Sequence, residues 1–235
     1  VEEVPDYPVH LFFTREGYFK KITPQSLRMS GEQKLKDGDE VIQTMESQNT
    51  AELLFFTDRC QVYKAKVCDF EDSKASIMGD YIPAKLGFDE GEQALYMAYT
   101  LDYSGYMLFF FENGKATKVE LSGYQTKTNR RRLLKAYSDA SPIAGIAQIT
   151  EDADFLLTSS AGRSLLVNTD CIGVKTTRSS QGIYVMTLKK NHFVQSAVLF
   201  TDDMLENPSR FRVKTLPSTG KILREQDQGE QLKLE

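Results

Sequence analysis

The 235-residue sequence contains no tryptophan, two histidines and three cysteines. Nowhere does it carry an apolar run of about 18 residues, the length a membrane-spanning helix needs. No membrane partner is therefore expected. Cys60, Cys68 and Cys171 are odd in number and lack metal-ligand spacing. That excludes a disulfide framework and a zinc site, and it fits ordinary thiols in a reduced cytoplasm. His10 and His192 have no sequence context that suggests catalysis or metal binding, so both read as structural. No nucleophile stands with a base, and no phosphate-binding loop or metal constellation can be read. The sequence thus predicts no catalytic residue and no cofactor. Long helical periodicity is absent as well. The acidic start, Val1-Glu2-Glu3-Val4-Pro5-Asp6, lacks an initiator methionine. It reads as part of a longer protein rather than as a signal peptide.

What is present is a phrase repeated five times. An apolar run ends in Thr or Phe, a polar turn follows, and a second β-rich run carries a Lys. The first copy is Leu11-Phe12-Phe13-Thr14-Arg15-Glu16-Gly17 followed by Tyr18-Phe19-Lys20-Lys21-Ile22. Further copies end their apolar runs at Thr57, Phe111, Thr158 and Thr201, at spacings of 43, 54, 47 and 43 residues. A β-hairpin period of this size is the mark of a propeller-like array, one blade per repeat. The expected fold is all-β and propeller-like with about five blades. It forms one domain over residues 1–224, with an acidic mobile tail at 225–235. The apolar positions Phe12, Phe55, Phe109 and Leu156 are expected in the core. Strands are expected over 182–188 and 210–216 among others. Glycine follows the apolar run because the turn needs positive φ; Cys60 breaks that pattern.

The net charge of −4 argues against nucleic acid, but its distribution is uneven. From Lys115 to Lys135 there are seven basic residues against Glu120 alone. From Ser209 to Arg224 there are five basic residues and no acid, whereas Asp69–Glu92 holds seven acids and two lysines. Local patches of one sign govern association more than the total does. Lys21, Lys64 and Lys118 recur at the fourth position after the turn. They read either as a rail of charge for phosphates or as edge lysines that prevent sheet aggregation. Lys127, Arg130, Arg131, Arg132 and Lys135 lie in one inter-strand loop, where arginine forks suit phosphate oxygens.

These phrases resemble the C-terminal domain of the type IIA topoisomerase A subunit, the family of gyrase A and topoisomerase IV A. The likeness rests on the opening phrase from Leu11 to Lys21, on Val62-Tyr63-Lys64-Ala65-Lys66-Val67, and on Leu86-Gly87-Phe88-Asp89-Glu90-Gly91-Glu92. A further match is Lys175-Thr176-Thr177-Arg178-Ser179-Ser180-Gln181-Gly182-Ile183, similar to a basic glycine-containing loop of that family. The resemblance implies a β-pinwheel, in which neighbouring blades exchange strands. It also implies a non-catalytic domain that binds double-stranded DNA without sequence preference. Such a domain bends or wraps the duplex and presents it to the catalytic core. Its partners would be the rest of the A subunit and the ATPase subunit, in the cytoplasm at the bacterial nucleoid. Lys175 and Arg178 join the expected DNA contacts on this ground. So do Lys34 and Lys36, which stand where gyrase has a basic box with an adjacent glycine pair. Here Ser30–Gly38 keeps Gly31 and Gly38 apart, and weak chiral wrapping is the expectation. The competing readings are a propeller that binds protein and a propeller enzyme with a central site.

Overall fold

The computed structural model describes residues 2–233. Its local unit is the predicted hairpin. In the first, β1 (Pro8–Thr14) pairs antiparallel with β2 (Tyr18–Ile22), and Gly17 N–H donates to the Thr14 carbonyl at 3.0 Å. Gly17, Gly114 and Gly162 all take positive φ at this point of their hairpins. Cys60 takes the same left-handed conformation with φ +55°. The turn survives the substitution at a backbone cost of about 1–2 kcal/mol.

Four sheets are found among the described residues, where the repeats suggested about five. The chain divides into two compact units. One holds residues up to Tyr103 together with Thr126–Ala136. Its first sheet adds β3 (Val41–Gln48) beside β1, and β6 (Asp72–Ser73) with β7 (Asp80–Tyr81) beside β2. Its second sheet runs β8 (Ala94–Thr100), β4 (Glu52–Thr57), β5 (Val62–Lys66), β11 (Arg132–Leu133). Two short helices, α1 (Pro24–Met29) and α2 (Ile82–Leu86), fill connections. Leu11, Phe13 and Phe19 of the first sheet pack with Leu53 and Phe55 of the second, with Phe13 and Phe55 ring centroids 5.5 Å apart. Each such side chain contributes about 1.5–3 kcal/mol on burial. Phe55, Phe109 and Leu156 are buried as expected. Phe12 is only half-buried, because strand alternation turns it away from the face that Leu11 and Phe13 present to the second sheet.

The other unit holds Ser104–Gln125 and residues from Tyr137 onward. Its first sheet runs β12 (Ile143–Ile149), β9 (Tyr106–Phe111), β10 (Lys115–Glu120), then β15 (Val174–Lys175) and β16 (Ile183–Tyr184). Its second runs β17 (Val194–Leu199), β13 (Asp154–Ser159), β14 (Arg163–Asn168), β18 (Lys221–Ile222). Gly145 of β12 lies where a Cβ would come within 2.3 Å of the Ala197 carbonyl oxygen, so the approach of β12 to β17 needs a glycine.

The first three sheets each take an edge strand from beyond the next hairpin in sequence, as the pinwheel reading requires, and the fourth takes β18 from beyond the residues of the fifth repeat. The expected strand over 182–188 is reduced to Ile183–Tyr184. The expected strand over 210–216 is replaced by the helical turn α3 (Pro208–Phe211), which Pro208 opens. The fifth repeat is no hairpin. Leu199 ends β17, and Thr201 begins a turn closed by Met204 N–H. Met204, Leu205 and Phe211 then cover Leu156 and Leu166 as a small apolar cap. The segment expected as an acidic tail carries a 3-10 turn at Glu225–Asp227 and the helical turn α4 (Glu230–Lys233). Buried Asp227 accepts from Arg224 Nε at 3.0 Å and lies 3.7 Å from Arg210. The last two residues of that segment lie outside the described residues.

Candidate nucleic-acid interface

The candidate site is built from the exchanged edge strands. In the first sheet the edge strand is two short pieces. Lys21 pairs in parallel with Asp72, and Phe19 antiparallel with Asp80. In the third sheet Lys118 pairs with Val174 in parallel, and Ala116 with Ile183 antiparallel. The fourth sheet keeps the plan with an isolated bridge from Leu166 to Arg212 and then β18. The chain must leave the sheet between the two pieces, so each edge carries a loop: residues 74–79, 176–182 and 213–220. In the second sheet residues 126–131 lead into β11.

The four loops share a composition. Lys74; Lys127, Arg130 and Arg131; Arg178 next to Lys175; and Lys214 supply charge, and no loop contains Asp or Glu. A glycine closes three of the loops. At Gly79, Gly182 and Gly220 φ is positive, and a Cβ would come within 2.4, 1.9 and 2.5 Å of the β2, β10 and β14 backbone oxygens. Arg132 stands at the matching register position in the second sheet, opposite Tyr63.

The expected site residues fall into two groups. Lys34, Lys36, Lys127, Arg130, Arg131 and Lys135 are exposed. Lys34 also ties its loop down, because its N–H donates to the Ala75 carbonyl at 2.8 Å. Lys175 is half-buried in β15. Arg178 donates to the Gly123 carbonyl at 2.9 Å, and its guanidinium lies 5.8 Å from the Tyr124 ring centroid.

The lysine rail is not an exposed rail, and this corrects the spacing argument. Lys21 is buried and donates to Asn49 Oδ1 at 2.8 Å, with Asp72 at 3.5 Å. Lys118 is buried and donates to Asp152 Oδ1 at 3.0 Å and the Thr169 carbonyl at 2.9 Å. Lys64 is half-buried, bonded to Thr126 Oγ1 at 3.0 Å. Each ammonium lies near a tyrosine ring: Tyr7, Tyr106 and Tyr103, at 5.7, 5.3 and 5.4 Å. The lysine stems fill the sheet interior while their charges find partners. Hydrogen bonds from Thr169 and Lys118 hold the Asp152 carboxyl below its ordinary range. Burial lowers the Lys64 ammonium, against the Glu52 carboxylate, which raises it. Burial, joined by the hydrogen bond to Asp72, pushes the Tyr7 hydroxyl up to about 12. Where the fourth sheet needs no such lysine, Leu166 takes the position under the C-terminal cap.

Arg132 also differs from its neighbours. It donates to both oxygens of Asp89, at 2.7 and 3.3 Å, and to Gln61 Oε1, and it lies 5.6 Å from the Tyr63 ring. Sequence reasoning grouped it with Arg130 and Arg131 and passed over Lys74 and the loop role of Lys214. The available signal was an acid-free stretch with a Lys that closes on glycine, at 74–79 and 213–220.

No protein-family model matches the chain. It is 24% identical over 193 residues to the DNA topoisomerase 4 A subunit of Bacillus subtilis, a match that covers 80% of this chain and 24% of that protein. Against the Staphylococcus aureus protein of the same name it is 23% identical over 209 residues, 87% of this chain and 26% of the relative. The crystal structure of the C-terminal domain of DNA topoisomerase IV superposes with a TM-score of 0.79 at 19% identity, covering 97% of this chain and 77% of that one. The chain is similar, in sequence and fold, to the C-terminal domain of type IIA topoisomerase A subunits. The Escherichia coli ParC C-terminal domain gives a TM-score of 0.66 at 12% identity, covering 94% and 95%. A gyrase A C-terminal domain gives 0.58 at 14% identity, covering 95% and 80%. The β-pinwheel class expected from the resemblance therefore holds. The chain spans about a quarter of the length of the curated relatives it matches.

Proposed function

We propose that this chain is a non-catalytic accessory domain of a bacterial type II DNA topoisomerase A subunit, which holds a duplex segment by its sugar-phosphate backbone. The observation that carries this reading is the acid-free, cation-bearing edge loop, present on all four sheets of a chain with net charge −4. The acids nearest these edges, Asp72, Asp89 and Asp152, pair with Lys21, Arg132 and Lys118 and leave the loop cations without an acidic residue in their own loops. Loop cations meet phosphates without reading bases, so binding is insensitive to sequence. The domain contributes DNA bending and presentation, while cleavage and ATP use belong to the remainder of the A subunit and its ATPase partner. Similarity to topoisomerase IV and gyrase domains supports this assignment. The DNA contacts are Lys127, Arg130, Arg131, Lys175 and Arg178, joined by Lys74 and Lys214, with Lys34, Lys36 and Lys135 nearby. The test is a salt titration of affinity for a random-sequence duplex. Log affinity falls linearly with log salt, by about 0.9 per phosphate neutralised. Affinity that ignores salt, or no binding at low salt, sinks the reading.

A further inference from the structure

The edge strands carry a second repeated feature. Beyond each basic loop the chain enters its antiparallel piece, and the second or third residue past the loop is large, apolar and exposed. These residues are Tyr81, Leu134, Tyr184 and Ile222, exposed by 45, 61, 54 and 46%. Register makes them equivalent. Tyr81, Tyr184 and Ile222 stand opposite Tyr18, Lys115 and Arg163, the first residue after each hairpin turn. Leu134 follows Leu133, which pairs with Val62, one residue beyond the corresponding Gln61. A single exposed apolar side chain is ordinary and calls for no explanation. One at the same register position of every sheet does, since the solvent-facing side of an edge strand is the place where alternation favours polar residues.

Their surroundings point to the occupant. The loop beside each position is cationic and acid-free. The facing strand adds Lys115, whose Nζ lies 4.8 Å from the Tyr184 ring centroid, and Arg163, which donates to the Gly220 carbonyl at 3.1 Å. Tyr81 is propped by Tyr18, with ring centroids 5.1 Å apart. A partner must therefore offer negative charge and, next to it, an apolar face. The backbone of a duplex has that alternation, phosphate then deoxyribose. Two strand residues span about 7 Å, the axial rise of about two nucleotides of one DNA strand.

We propose that Tyr81, Leu134, Tyr184 and Ile222 pack on the deoxyribose faces of the backbone whose phosphates the neighbouring loops hold. This rests on the DNA-binding reading and deepens it: the cations supply a salt-dependent attraction and these four side chains a salt-independent one. The experiment is a salt titration of the full chain against a random-sequence duplex, read as slope and as affinity extrapolated to about 1 M salt, where counterion release no longer contributes. In the fourfold variant Tyr81→Ser, Leu134→Ser, Tyr184→Ser, Ile222→Ser, the extrapolated affinity falls at least ~10-fold while the slope stays the same. In the enlarged variant Leu134→Phe, Ile222→Tyr, the extrapolated affinity rises, which tests the idea without removing a side chain. Unchanged intercepts in both variants, with a steep wild-type slope, overturn this proposal alone and return the four positions to a protein-facing surface. A wild-type chain that binds no duplex overturns the parent reading instead.

Discussion

The arginines of the 126–136 segment divide by partner, and the division is testable residue by residue. Arg130 and Arg131 have exposed side chains, whereas Arg132 is forked onto Asp89. Arg130→Glu with Arg131→Glu is expected to lower duplex affinity at least ~10-fold, about 1.4 kcal/mol. It should also reduce the salt slope by about 0.9 per lost phosphate contact. The melting curve should move by less than about 0.5 kcal/mol. Unaltered binding would shift the DNA path to other loops. Lys118 makes the opposite prediction, because its charge is buried against Asp152 and the Thr169 carbonyl. Lys118→Ala is expected to cost about 2 kcal/mol of stability by removing two charge-assisted hydrogen bonds and the buried lysine stem; Thr169 Oγ1 and the Ile172 N–H remain as donors to the two acceptors. The salt slope of DNA binding should not change. A slope reduced with no loss of stability would restore the rail of exposed lysines. The repeat of Lys in the sequence was legible; its burial was not, since solvent-facing and inward-facing strand positions differ only in what a distant segment lays over them.

At the scale of elements, the eroded fifth repeat has become a cap rather than a blade. Solenoid-like arrays need their terminal apolar face covered, and Met204, Leu205 and Phe211 do this for Leu156 and Leu166. Asp227 ties the cap together through Arg224 and Arg210. The hydrogen bond from Arg224 holds its carboxyl down to about 2. An unfolded aspartate titrates at about 3.9. A depressed folded-state value adds stability that is present above the unfolded value and is lost as pH falls through the folded one. Asp227→Asn is therefore expected to melt earlier than wild type at pH 7. The difference should shrink between about pH 4 and pH 2. An equal difference at both ends of that window, measured by thermal melts, would count against the ion-pair account.

For the whole molecule, net charge and local charge disagree, and the exchange of edge strands reconciles them. Asp72, Asp152 and Asp89 partner the buried lysines Lys21 and Lys118 and Arg132, and the edge loops hold no acid. The segment from Ser30 to Gly38, after α1, has no adjacent glycine pair. It is held to the 74–79 loop by Lys20 Nζ, which donates to the Lys34 and Ala75 carbonyls at 3.2 and 3.0 Å. A segment fixed this way, with separated glycines, predicts weak chiral wrapping. Ligation of a nicked circle with saturating protein is expected to shift linking number little. A large positive shift would show that the glycine pair is dispensable.

The sequence by itself determined the hairpins, their turn residues and the apolar runs that fill the sheets. Those follow from neighbours in the chain: a left-handed residue after the run, alternation along the strand, and a period that repeats. It also carried the family resemblance, through phrases that need no three-dimensional context. Only the tertiary structure decided which cations are available. Arg132 meets Asp89 across 43 residues, Lys21 meets Asn49 across 28, and Lys118 meets Asp152 across 34. Strand exchange brings Arg132 to Asp89, while the turns that follow β3 and β12 carry Asn49 and Asp152 to the lysines, and no local pattern encodes any of these partners. The same exchange puts one acid-free loop and one exposed apolar residue at the equivalent edge of each sheet, through register that is set by pairing between strands far apart in the chain.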